Sequence, residues 1–70
     1  MSRSYLVVIE RGEGNFSAYV PDLPGCIVTG ATREQTVERM REAIALHIDG
    51  LQADGEPVPE PVTSAELVAA

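Results

Sequence analysis

The chain has 70 residues, 44% of them hydrophobic, with eleven acidic side chains against five basic ones and a net charge of −6. That is one domain at most, too apolar for a disordered acidic segment and too acidic to hold phosphate unaided. A chain of this size buries only about 60% of its unfolded surface, so its core is thin and self-association is a direct way to enlarge it.

"SYLVVIE", residues 4–10, is rich in β-branched residues. Alternation sends Tyr5, Val7 and Ile9 to one face and Leu6 and Val8 to the other. Both faces are apolar, which predicts a central strand or one covered twice. "RGEGN", residues 11–15, reads as a five-residue hairpin loop. "FSAYV", residues 16–20, predicts a second strand that is half buried, with Phe16, Ala18 and Val20 opposite Ser17 and Tyr19.

"PDLPG", residues 21–25, holds two prolines and a glycine in five positions. Val20 and Leu23 precede prolines and are pushed toward extended conformations. Pro24-Gly25 suits the centre of a type II turn, Asp22 can accept from a nearby backbone amide, and Leu23 is the one apolar side chain available to point inward. The segment ends strand two and aims "CIVTG", residues 26–30, back as strand three.

"TREQ", residues 32–35, is a capping box, in which the Thr32 hydroxyl can accept from the Gln35 amide while the Gln35 side chain reaches back. A helix is expected from there to about residue 53. Val37, Met40, Ile44, Ile48 and Leu51 form its apolar stripe. Glu34, Glu38, Arg41, Glu42 and Asp49 lie off that stripe. So does Leu46, which with Leu6 and Val8 is a candidate contact with another copy of the chain. Gly55 is placed to cap the helix C-terminus. The prolines of "EPVPEP", residues 56–61, favour an extended course with few ladder bonds. A short edge strand around Glu66 to Ala69 is expected as the sheet's fourth member. There are no internal repeats, and residues 1–70 read as a single domain.

No catalytic constellation emerges. Cys26 cannot form an internal disulfide and has no companions for a metal site. A dyad of Cys26 with His47, the only histidine, has no third residue to orient it. Asp22 and Glu10 could form a carboxylate pair across strands, which with Cys26 leaves a hydrolase as a third alternative. Gly12, Gly14 and Asn15 precede a strand, not a helix, and make no phosphate-binding loop. No cofactor is implied. The apolar run near the start is too short for a signal peptide and none is long enough to span a membrane, so a cytoplasmic location is expected.

The ordered set Tyr5, Pro21, Asp22, Pro24, Gly25, Cys26, Gly30, Thr32, Ala43, Ile44, Leu51, Gly55, Pro59 and Pro61 resembles the HicB-like antitoxin domain over nearly the whole chain. The resemblance implies an α+β, two-layer β-β-β-α-β fold of partial ribonuclease-H-like type, its antiparallel sheet covered on one face by one helix. It also implies a non-enzymatic binding module that neutralises HicA, a small basic ribonuclease toxin. A net charge of −6 fits such a partner. Partner-binding candidates are Glu10, Glu13 and Asp22 near the end of the sheet, and Glu34 and Glu38 on the helix. Pro21, Asp22, Leu23, Pro24, Gly25, Cys26 and Thr32 are the architectural motif residues. A homodimer or higher homo-oligomer is expected; the alternative reading is a stand-alone oligomeric protein of this fold with another partner or ligand. No helix-turn-helix or ribbon-helix-helix segment is found in "TSAELVAA", and the five arginines are scattered, so direct binding to nucleic acid is not expected.

Overall fold

A computed structural model describes residues 3–70. The chain runs β1 (Val8–Arg11), β2 (Phe16–Tyr19), β3 (Ile27–Gly30) and α1 (Arg33–Ala53). The three strands form one antiparallel sheet in the order β1-β2-β3. The class is therefore α+β, with α1 lying on one face of the sheet.

The register explains which side chains become core. Ala18 faces Ile9 on one side and Val28 on the other. With strand alternation this row, together with Val20, turns toward the helix. Ala18, Val20, Leu23, Cys26 and Met40 are the buried apolar residues, and Tyr5, Val7, Ile9, Val28, Ala43 and Ile44 pack around them. The next row, Val8, Tyr19 and Ile27, crosses all three strands on the opposite face. Tyr19 and Ile27 are 40% and 68% exposed there.

The helix begins where the capping box predicts. Thr32 Oγ1 accepts from the Gln35 amide at 3.0 Å, and Gln35 Oε1 reaches back to the Ala31 amide at 2.7 Å. Its end is a Schellman arrangement. Gly55, at φ 70°, donates to the Gln52 carbonyl, and Glu56 donates to that of Leu51. One core residue escapes the apolar pattern. Thr36 is fully buried, its hydroxyl donating to the Thr32 carbonyl at 2.7 Å.

Several expectations need correction. The first strand is an edge strand, not a central one, and it starts at Val8. Consecutive hairpins make β2 the middle of the sheet, so the apolar second face of β1 belongs to the uncovered side and not to a second layer. The first hairpin loop is residues 12–15, one shorter than expected, because Arg11 still pairs with Phe16. Cys26 precedes β3 instead of opening it, since its amide is taken by the Leu23 carbonyl. No fourth strand forms, as residues 57–70 carry no strand. Pro57, Pro59 and Pro61 lack amide hydrogens, and the amides of Val62 and Thr63 are held by the Asp22 carboxylate instead of a ladder.

Candidate protein-binding surface

The PDLPG turn is built as an inward plug. Leu23 is wholly buried, its amide donating to Val20 and its carbonyl accepting from Cys26. Gly25 sits at φ 87°, the left-handed region that a side chain resists. Asp22 does more than cap a neighbour. Its carboxylate accepts from the Val62 amide, the Thr63 amide and the Thr63 hydroxyl at 3.1, 3.0 and 2.8 Å. The Thr63 amide and hydroxyl hold the Asp22 carboxyl below the usual range, with partial desolvation opposing them and the Val62 amide adding to the fall. Tyr5 Oη donates to the Pro59 carbonyl, and Arg3 pairs with Glu60 at 3.4 Å. Residues 59–63 thus form a strap across the end of the sheet, from the start of β1 to the β2–β3 turn.

This geometry separates residues the sequence reading had grouped. β2 carries the first hairpin at one end and PDLPG at the other. Glu10 and Glu13 lie toward the hairpin end and Asp22 lies at the far end, about 13 Å away along four strand residues. Asp22 and Glu10 therefore make no carboxylate pair. Nor do Cys26 and His47 make a dyad. The Cys26 thiol lies 3.7 Å from the Met40 sulfur, and burial pushes its pKa up, opposite to what a nucleophile requires. His47 lies seven residues past Met40, about 10 Å along the helix axis. Among the described residues, no group of three or more His, Cys, Asp or Glu is placed to hold a metal ion.

What remains open is surface. Beside the Val8–Tyr19–Ile27 row lies a second row, Glu10–Ser17–Thr29, on the same uncovered face. Leu6 continues that face beyond Val8 by alternation. On the helix, Glu34, Glu38, Glu42 and Asp49 are all exposed, and Glu38 pairs with Arg41 at 3.3 Å. Leu46 is 72% exposed. Sequence reading missed Arg39, whose guanidinium donates to the Thr29 carbonyl at 2.8 Å and caps the outer edge of β3. It also missed Thr63, the partner of Asp22, because nothing in a single sequence links positions 41 residues apart.

The model for the HicB-like antitoxin of bacterial toxin–antitoxin systems matches residues 5–70. The chain belongs to this family. It is 36% identical over 56 residues to an uncharacterized 14.9 kDa protein of Haemophilus phage HP1, covering 80% of the chain and 42% of the phage protein. It is 38% identical over 58 residues to a UPF0150 protein of Synechocystis, covering 81% of the chain and 73% of that protein. A UPF0150 protein of Thermoplasma acidophilum is 36% identical over 56 residues, with 79% and 81% covered. The chain thus spans less than half of the phage relative. No solved structure matches it significantly. Membership of an antitoxin family points to a toxin–antitoxin role and to a toxin as partner in general. Among the described residues no helix is long and apolar enough to cross a membrane.

Proposed function

We propose that this HicB-like domain is a non-enzymatic inhibitor that binds a small basic ribonuclease toxin of the HicA type through the uncovered face of its sheet. The observation that carries this is the row Val8, Tyr19 and Ile27, apolar and facing away from the helix, with Glu10 in the next row and Glu13 in the adjoining hairpin. An aromatic anchor with a carboxylate in the neighbouring row suits a basic protein surface. Asp22, its carboxylate already engaged with Val62 and Thr63, serves the architecture of that surface and not the partner. Glu34 and Glu38 on the helix add to the steering field. In this reading the partial ribonuclease-H-like scaffold works as a shape, in the cytoplasm, without catalysis and without direct contact with nucleic acid. The domain acts as a homodimer.

The test is to search the neighbouring reading frames for a small basic ribonuclease of the HicA type and to titrate RNA cleavage by that purified protein with the purified chain. Cleavage should stop at one domain per toxin. Ile27→Glu and Tyr19→Ala should each weaken inhibition by about tenfold or more, at unchanged melting temperature. Undiminished inhibition by both variants would refute the assigned face, and no inhibition by the wild type would refute the function.

A further inference from the structure

The two edges of the sheet are not equivalent. Val20 and Cys26 share a ladder bond, Val20 donating to Cys26. Ladder bonds in an antiparallel pair alternate, so Ala18 bonds toward Val28, and Tyr19 and Ser17 bond toward Val8 and Glu10. The amides and carbonyls of Ile9 and Arg11 then face outward from β1, and those of Ile27 and Thr29 outward from β3. The β3 edge is obstructed by Arg39, seated on the Thr29 carbonyl. The β1 edge has no backbone partner among the described residues.

Beside that edge lies a hollow of about 170 Å³, lined by Val7, Val37, Met40, Arg41 and Ile44. An apolar cavity of about 150 Å³ accommodates a benzene-sized group. One side chain of a strand added to β1 would therefore fill it. The occupant has to present an apolar residue inward and, on the next residue, a second apolar side chain on the outer face; an inward carboxylate could join Glu38 at the exposed Arg41.

The chain's own tail has this pattern. In "AELVA", residues 65–69, alternation puts Glu66 and Val68 on one face and Leu67 on the other. Leu67 is 100% and Val68 82% exposed, so the tail of a single copy buries neither. Its root is fixed and points away from β1 of the same copy. The strap passes Tyr5 at Pro59 and reaches the β2–β3 turn at Thr63. We propose that residues 65–69 of a second copy add to the free edge of β1, and that two copies exchange tails reciprocally. Val68 enters the hollow, Glu66 shares Arg41 with Glu38, and Leu67 extends the Val8–Tyr19–Ile27 row. The pairing is a strand addition in which main-chain bonds give affinity and alternate side chains give specificity. It rests on the homodimer of the proposed function, whose toxin-binding face Leu67 would widen.

The experiment is sedimentation equilibrium on the full chain and three variants. The wild type should be a dimer at micromolar concentration. A chain ending at Ser64, which keeps the Asp22–Thr63 contact, should be a folded monomer. Arg41→Glu should weaken the dimer about tenfold, and adding Glu66→Arg should restore most of that loss, since the reversed pair re-forms between copies. The rescue separates a specific contact from damage to folding. A monomeric wild type, a shortened chain that dimerises as well as the full one, or failure of the double variant to recover would each overturn the proposal. So would tail-dependent amide protection of β1 in a monomer, which would place the tail on its own copy.

Discussion

Adding one methyl group at Gly30 should destabilise this domain more than the same change at any other glycine. Gly30 ends β3 directly beneath the first turn of α1. A Cβ there would lie 2.5 Å from Thr36 Oγ1, 2.9 Å from the Thr36 amide nitrogen and 3.1 Å from its Cα. Only the first of these can be relieved by rotating a side chain. The other two are backbone, fixed by the bond from the Thr36 amide to the Thr32 carbonyl at 3.0 Å. The helix must therefore move off the sheet, and overpacking of this kind costs about 1–3 kcal/mol. With about 2.1 cal/mol/K of unfolding entropy per residue, a 70-residue domain loses about 7 °C of melting temperature per kcal/mol. Gly30→Ala should thus melt about 7–20 °C lower, near the upper end because rigid backbone is involved.

Two companion substitutions fix the interpretation. At Gly25 an added Cβ meets nothing within 4 Å, but φ is +87°. Gly25→Ala should lose only the left-handed penalty of about 1 kcal/mol, or about 7 °C. At Gly50, inside the helix, a Cβ also meets nothing and φ is ordinary. Gly50→Ala should gain about 0.5–1 kcal/mol. In a Gly30→Ala background, Thr36→Ala should recover part of the loss and not all, since the backbone contacts persist. Thermal melts followed by circular dichroism read all four. A Gly30→Ala variant melting within 3 °C or so of wild type would refute the close approach of β3 and α1.

Leu23→Ala empties the most buried side chain of the core, at a cost of about 2–5 kcal/mol. A domain this small holds about 3–5 kcal/mol, so proton spectra should show loss of native dispersion, and a well-dispersed spectrum would contradict the plug. Thr32→Ala removes the helix N-cap and should cost about 1 kcal/mol in a denaturant titration, with an unchanged midpoint counting against the capping box. The folded pKa of Asp22 is depressed below its unfolded value of about 3.9. The strap it holds is therefore fully favoured above about pH 4 and is lost as pH falls through the lower folded pKa. Amide exchange at Val62 and Thr63 should accelerate in that acid window, and Asp22→Asn should remove the pH dependence.

Local signals in this sequence were read well because they are physically local. The Thr32–Gln35 box, the Gly55 stop and the Leu23 plug each depend on contacts within a few residues, and each stands where it was expected. Of the stripe expected from spacing, Met40 and Ile44 pack into the core, joined by Ala43. The place of β1 in the sheet was misread because two apolar faces look the same whether the second is covered or merely unpaired. Thr36 was missed because a polar residue buried under a glycine has no signature in an apolar stripe. The grouping of Glu10 and Glu13 with Asp22 failed for a topological reason, since successive turns of an antiparallel meander alternate between the two ends of the sheet.

The PDLPG segment shows why a motif can carry several physical demands at once. Leu23 closes the end of the core, and Gly25 supplies the backbone sign that returns the chain as β3. Neither task needs an acid. Asp22 is required by a third task, holding the amides of two residues that follow a proline-rich exit. Those amides have no ladder partner, and the half-buried one of Thr63 would be costly to leave unpaired. A carboxylate with several acceptor positions answers the Thr63 amide, its hydroxyl and the Val62 amide together, which neither leucine nor glycine at that position could do. The turn therefore decides where the chain after Thr63 leaves the domain.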